Sequence, residues 1–171
     1  VIHCETSSGI LNPIKTISKI VKSFNRSLLI DSMSAFGAIP IDCAEIEFDA
    51  LVSSANKCIE GVPGFGFVLT KKSVLEKSKY NSHSLSLDLY DQWKYLEEKG
   101  QWRFTPPTHT ILGFLSALNQ HASEGGVLGR LNRYEANKNI LVEGMRDLGF
   151  ETLLSDKWIS PIICLLYTSP S

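Results

Sequence analysis

Short apolar runs separated by polar turns dominate residues 1–70. Runs of this length, bounded by Gly, Pro, Asn and Asp, are typical of buried strands. They are VIHCE at 1–5, SLLID at 27–31, FDALVSS at 48–54 and GFGFVLT at 64–70. After the first run, Asn12 and Pro13 precede apolar residues at helical spacing, which predicts a helix with Asn12 as its N-cap. The predicted apolar face of that helix is Ile14, Ile17, Val21 and Phe24.

The rest of the chain has mainly helical periodicity. KKSVLEKSK at 71–79 predicts a short exposed helix, residues 80–107 are polar and less regular, and residues 108–148 are helical in pattern. An apolar stripe in this last segment is expected to pack on the sheet: Leu128, Leu131, Tyr134, Leu141, Met145 and Leu148. Because strands and helices alternate with short connections, the sequence predicts an α/β fold with a mostly parallel sheet flanked by helices.

Charge and cysteine usage exclude several classes of function. The 171 residues carry 17 basic and 18 acidic side chains with no basic stripe, which argues against nucleic acid or an anionic membrane as partner. The four cysteines form no CxxC pair, and no His cluster has metal-ligand spacing. We therefore expect neither a disulfide framework nor a metal site, and a reducing, cytoplasmic location. The chain begins at Val1 inside a strand-like run, which suggests a fragment.

Two charged residues lie at, or shortly after, the ends of predicted strands and are the candidate catalytic pair. Asp31 ends the run at 27–31, and Lys57 lies three residues after the run at 48–54, just before Gly61, Gly64 and Gly66. Taken singly, Asp31 is more often a turn cap and Lys57 a solvated surface amine. In an α/β sheet, however, both would lie at the carboxyl ends of strands, where ligands bind. A carboxylate can keep a pyridine nitrogen protonated and an amine can join an aldehyde, so together they suit pyridoxal chemistry.

Four sequence segments, in order along the chain, resemble one enzyme family. They are HCETSSGILNPI, LLIDSMSAFGAIPID, SSANKCIEGVPGFGFVL and QWRFTPPTHTILGFLSAL. They resemble the class V (fold type I) pyridoxal-phosphate-dependent aminotransferases. The resemblance implies that Lys57 joins the aldehyde of pyridoxal 5′-phosphate and that Asp31 pairs with its ring nitrogen. It further implies that Thr6 contacts the ring oxygen and that Asn56 helps to position the phosphate. Thr105 would reach the cofactor phosphate of a neighbouring subunit, which implies a homodimer with shared active sites.

The same resemblance implies an activity and a domain organisation. The expected reaction moves the amino group of 2-aminoethylphosphonate to pyruvate, giving phosphonoacetaldehyde and L-alanine. The alternatives are an alanine– or serine–glyoxylate aminotransferase, or a non-catalytic α/β dimerisation module. Residues 1–125 would belong to the large cofactor-binding domain, and residues 126–163 to a long helix and the start of a small C-terminal α+β domain. Residues 164–171, CLLYTSPS, depart from the family pattern and suggest a non-native tail. We expect the chain to be inactive by itself.

Overall fold

A three-stranded sheet lies at the centre of the computed structural model, which describes residues 1–168. Strands β1 (Leu29–Asp31), β2 (Ala50–Ser54) and β3 (Gly66–Thr70) are arranged in that order. β1 and β2 are parallel, with Asp31 opposite Val52, whereas β3 is antiparallel to β2. The three strands that the apolar runs predicted are therefore confirmed, and the parallel pair brings two carboxyl ends to one edge.

The first apolar run joins this sheet through one isolated bridge. Ile2 forms an isolated parallel bridge with Asp31, and the His3 N–H donates to the Asp31 carbonyl at 2.7 Å. The predicted strand at 1–5 is thus only a bridge beside β1. Farther along, Ile10 pairs with Ile159, and the Ser160 N–H donates to the Gly9 carbonyl at 2.9 Å. Residues distant in sequence therefore meet on this side of the sheet.

Five helices accompany the strands in the part of the chain that the structure describes. They are α1 (Ile14–Ser23), α2 (Lys72–Lys77), α3 (Leu89–Lys99), α4 (Thr108–Ser123) and α5 (Gly126–Asp147). The predicted helix at 71–79 is confirmed as α2. None of the helices within residues 1–168 has both the length and the apolar character needed to cross a bilayer.

Helix α1 packs its apolar face on β1 and β2. Ile14 is buried with Leu28, Ile30 and Leu51, and further apolar side chains surround this cluster. Each such side chain contributes roughly 1.5–3 kcal/mol when it is fully removed from water. The helix face ends earlier than the spacing predicts, because Phe24 lies beyond the last turn and is 72% exposed.

Asn12 does not cap α1, so that prediction was wrong. The structure gives Pro13 as the capping residue and no side-chain hydrogen bond to the first turn. The Asn12 amide instead donates to the Ile2 carbonyl at 2.8 Å. Its hydrogen-bonding capacity is thus used to hold the first segment in place.

Residues 80–107 contain a helix that the polar composition obscured. Asp88 caps α3 by accepting a hydrogen bond from the Asp91 N–H at 3.0 Å, and Gly100 ends it at φ +65°. An Asp before the first turn and a Gly after the last are recognised helix boundaries, so the signal was present in the sequence.

The helical segment after residue 108 is two helices, separated by Glu124 and Gly125, and Gly125 has a φ of +101°. The prediction that its apolar stripe packs on the sheet was wrong for most of the stripe. Leu128, Leu141 and Leu148 are more than 60% exposed, and only Leu131 packs on a buried cluster, formed by Cys4, Ala35 and Ile39. The fully buried residue on α5 is Arg130, a cation that an apolar periodicity cannot identify.

A second, two-stranded sheet follows α5. β4 (Phe150–Thr152) is antiparallel to β5 (Leu166–Thr168). β5 lies within the segment that the sequence assigned to a non-native tail, and residues 169–171 lie outside the described residues. The division into a large domain (1–125) and the start of a small one (126–163) stays a prediction.

Candidate active site

A cavity of about 500 Å³ lies between the ends of the central strands and helix α5. Two of the predicted site residues, Thr6 and Lys57, line it. The other lining residues are Ser34, Cys58, Tyr134, Asn137, Lys138, Leu141, Val142, Pro161, Ile162, Ile163, Cys164 and Leu166. An amine and a hydroxyl from distant parts of the chain thus face one mostly apolar space.

Lys57 lies in a tight turn that follows β2. The Glu60 N–H donates to the Lys57 carbonyl at 2.8 Å, and the Gly61 N–H donates to the Ala55 carbonyl at 2.9 Å. A Cβ at Gly61 would come within 2.7 Å of that same carbonyl oxygen, so the turn requires glycine there. The Lys57 side chain itself is exposed.

Asp31 lies at the same edge of the sheet as this turn, because β1 and β2 are parallel. One carboxylate oxygen, Oδ1, accepts a hydrogen bond from the Met33 N–H at 2.9 Å, which fixes the side chain in the turn. The side chain is exposed, and it does not line the Lys57 cavity.

Ser34 connects the chain segments that carry Thr6, Asp31 and Lys57. Its hydroxyl donates to the Cys4 carbonyl at 2.7 Å, and its own carbonyl accepts from the Cys58 thiol at 3.0 Å. Cys4 is two residues before Thr6, Cys58 follows Lys57, and Ser34 is three residues after Asp31. These two buried hydrogen bonds therefore join the segments of Thr6, Asp31 and Lys57.

Two buried titratable side chains adjoin these segments. Burial raises the pKa of the Cys58 thiol to about 12, so this thiol is neutral and hydrogen-bonded near pH 7. Burial also lowers the pKa of His3 to about 4, and its Nδ1 lies 3.1 Å from Ser32 Oγ. A neutral ring that hydrogen-bonds to Ser32 fits a structural role for this histidine.

Two other predicted residues lie outside the cavity. Asn56 is half-buried in the turn immediately before Lys57 and does not line the cavity. Thr105 is exposed in a separate surface depression formed by residues 100–106. The structure therefore brings together Thr6 and Lys57 at one cavity, with Asp31 at the same sheet edge.

Sequence reasoning missed the polar side chains that α5 contributes. Tyr134, Asn137 and Lys138 all line the cavity, at the three- and four-residue spacing of one helix face. Tyr134 was assigned to the apolar stripe, and Asn137 and Lys138 lie between positions of that stripe, so none of the three was predicted as a site residue. Lys138 is a second amine at the same cavity.

The fold and the placement of these side chains define a class of protein. The family model described as aminotransferase class-V matches residues 1–164, and the chain belongs to that family. The chain is 61% identical over 168 residues to a protein named 2-aminoethylphosphonate–pyruvate transaminase from Rhizobium meliloti, covering 98% of this chain and 44% of that relative. It is 59% identical over 166 residues to a protein named 2-aminoethylphosphonate–pyruvate transaminase 1 from Paraburkholderia xenovorans, covering 97% and 43%.

Solved structures of the same fold extend this comparison. The chain matches a pyridoxamine–pyruvate aminotransferase from Mesorhizobium loti with a TM-score of 0.84 and 25% identity, over 94% of this chain and 42% of that one. It matches an alanine–glyoxylate aminotransferase from Nostoc sp. with a TM-score of 0.84 and 22% identity, over 96% and 44%. The α/β fold expected of the family is therefore confirmed. The chain spans less than half the length of these relatives.

Proposed function

We propose that this chain carries the catalytic centre of a pyridoxal-phosphate-dependent transaminase, with Lys57 as the amine that bonds to the cofactor. The observation that carries the proposal is the position of Lys57, which lines the same cavity as Thr6 and lies at the same sheet edge as Asp31. Membership in the aminotransferase class-V family supports it.

The side chains at this edge fit the cofactor in chemistry. The exposed Lys57 amine is available for a covalent bond to an aldehyde. Asp31 uses Oδ1 for the Met33 N–H, which leaves Oδ2 for a ring N–H donor. The Thr6 hydroxyl would donate a hydrogen bond to the ring oxygen of the cofactor. Asn56, and Thr105 from a neighbouring subunit, would contact the cofactor phosphate. In this proposal two copies of the chain share their active sites in a homodimer.

Each residue then has a defined task. When bound, pyridoxal 5′-phosphate supplies the aldehyde and an electron-withdrawing ring. The Asp31 carboxylate holds a proton on the ring nitrogen by charge, which strengthens that withdrawal. With the cofactor bound, the Lys57 amine would act as the base that moves a proton between the donor carbon and the cofactor. Because Lys57 is part of the chain and lines the cavity, it would act at a fixed place, and such proximity can supply much of the rate of a proton transfer.

The proposed substrates are 2-aminoethylphosphonate as amino donor and pyruvate as acceptor. Phosphonoacetaldehyde leaves in the first half-reaction, and L-alanine leaves in the second. The relatives with this activity in their names, at 61% and 59% identity, support this choice over a glyoxylate acceptor. We also propose a cytoplasmic location, in keeping with the free cysteines at 4, 43, 58 and 164.

Reductive trapping tests the role of Lys57. The chain is mixed with pyridoxal 5′-phosphate, reduced with borohydride and digested, and the labelled peptide is mapped. We expect a yellow adduct and a label on Lys57, both lost in Lys57→Ala. Lys19→Ala, at an exposed lysine of α1, is the matched control and keeps the label. A label on Lys138, or labels spread over many surface lysines, would contradict the proposal.

A further inference from the structure

Arg130 on α5 is fully buried, at 0% exposure. Arginine is almost never buried unless its charge is paired. Its Nη1 donates to the Cys58 carbonyl at 2.6 Å, and its Nε donates to Glu124 Oε2 at 2.8 Å. Nη1 also lies 3.1 Å from Glu60 Oε2. One guanidinium therefore joins α5 to the backbone of the residue that follows Lys57.

Glu60, at the end of the turn that begins at Lys57, is held by Arg130 and by two neighbouring side chains of α5. Glu60 has a φ of +61°, a left-handed conformation that non-glycine residues rarely adopt. Its Oε1 accepts from Arg133 Nη2 at 2.8 Å and from the Tyr134 hydroxyl at 2.7 Å. A strained residue persists where its surroundings over-determine it, and here three side chains of α5 do so.

The two carboxyl groups of this network, Glu60 and Glu124, both have a lowered pKa. Hydrogen bonds from Arg133 and Arg130 lower the pKa of Glu124 to about 2, so its carboxylate stays ionised. Arg130, Glu60 and Glu124 do not line the cavity. Any effect of Arg130 on chemistry there must act through its partners, which are the Cys58 carbonyl in the turn and, by way of Glu60, the Tyr134 side chain.

We infer that Arg130 is a positioning residue for Lys57, and that it sets the place of the Lys57 amine by holding the Cys58 carbonyl against α5. The inference rests on the proposed role of Lys57 as the amine that bonds to pyridoxal 5′-phosphate. A lysine at position 130 would keep the charge, but a single ammonium lacks the planar fork that reaches the Cys58 carbonyl and Glu124 together.

The test compares Arg130→Lys and Arg130→Ala with the unsubstituted chain. The readouts are the dissociation constant of the yellow pyridoxal 5′-phosphate adduct, its pH profile, and the fraction of label on Lys57 after borohydride. Because a small misplacement of a reacting group is costly, we expect adduct formation to weaken by about tenfold or more in Arg130→Lys, with a shifted pH profile. Low-millimolar guanidinium ion should restore the adduct in Arg130→Ala, because it can refill the vacated site. Arg146→Lys, on the same helix but not among the residues that line the cavity, is the matched control and keeps the affinity of the unsubstituted chain.

The outcomes separate the two proposals. Absence of a Lys57 adduct in the unsubstituted chain refutes the proposed function. If the unsubstituted chain forms the adduct, and folded Arg130→Lys forms it with the same dissociation constant and the same pH profile, the positioning role alone is overturned. If circular dichroism shows that both Arg130 variants are unfolded, Glu124→Gln decides, since it keeps Arg130 but removes the carboxylate that orients it. In that variant a weaker adduct with retained helicity supports the inference, and an unchanged adduct overturns it.

Discussion

The hydroxyl of Ser34 donates a 2.7 Å hydrogen bond to the carbonyl of Cys4, and both residues are buried. Through the Ser34 carbonyl, which accepts from Cys58 Sγ, the contact extends to the turn that holds Lys57. A single small side chain thus connects the first segment of the chain to the site after β1.

Replacing Ser34 by Ala should destabilise the fold. The substitution leaves the buried Cys4 carbonyl without its partner, which typically costs about 1–3 kcal/mol. Urea unfolding followed by circular dichroism measures this loss. Ser116→Ala, at an exposed serine of α4, is the control and should change the free energy of unfolding by less than about 0.5 kcal/mol. Equal midpoints for the two variants would contradict the importance of the Ser34 contact.

His3 should make stability depend on pH between about 6.5 and 4. Burial lowers its pKa from the usual 6.5 to about 4, so the unfolded chain takes up a proton in this range before the folded chain does. Stability is therefore fully present above pH 6.5 and falls as the pH drops towards 4, by roughly 3 kcal/mol at most. Urea midpoints at a series of pH values measure the slope.

The variant His3→Gln removes the titrating group and should flatten that slope. His83→Gln, at an exposed histidine, is the matched control and should keep the slope of the unsubstituted chain. A slope that survives in His3→Gln would assign the pH dependence to other groups.

Asp49 should contribute a separate loss of stability at lower pH. Its Oδ2 accepts from Lys22 Nζ and from the Leu28 N–H, each at 2.7 Å, and chiefly the Lys22 contact lowers its pKa. A lowered carboxyl pKa gives stability that is present above the ordinary carboxyl range and is lost as the pH falls through the folded value. Asp49→Asn should therefore lose about 1–2 kcal/mol at pH 7 and show a smaller further loss in acid. Urea unfolding at pH 7 and at pH 3 checks this, with the exposed Glu135→Gln as control.

Gly37 should tolerate alanine less well than Gly100, although both have positive φ, +95° and +65°. A Cβ at Gly37 would overlap the Ile59 side chain, whereas nothing lies within 4 Å of a Cβ at Gly100. The left-handed conformation alone costs roughly 1–2 kcal/mol, and forced overpacking adds about 1–3 kcal/mol. Thermal or urea unfolding of the two variants should show the larger loss in Gly37→Ala. Equal losses would mean that Ile59 moves aside without cost.

The central sheet and the two charged residues at its edge were predictable from local sequence. The runs that became β1, β2 and β3 are compact, Asp31 is the last residue of β1, and Lys57 lies three residues after β2. Helix α3 was missed because its surface is polar, although Asp88 and Gly100 mark its ends. The apolar stripe of α5 gave a wrong prediction of the buried face, because Leu128 and Leu141 are exposed. Arg130 is buried instead, and its burial depends on a partner far away in sequence, the Cys58 carbonyl. Tertiary pairing of this kind leaves no periodic signal in a single chain.

The contact between Cys4 and Ser160 joins two segments that are synthesised at very different times. The Cys4 thiol donates to Ser160 Oγ at 3.2 Å across 156 positions, next to the wall of the cavity formed by residues 161–164. On the ribosome, the strands that present Asp31 and Lys57 can pair long before that wall has been synthesised. The candidate site consequently stays open on this side until residue 160 and its neighbours have been synthesised and reach Cys4.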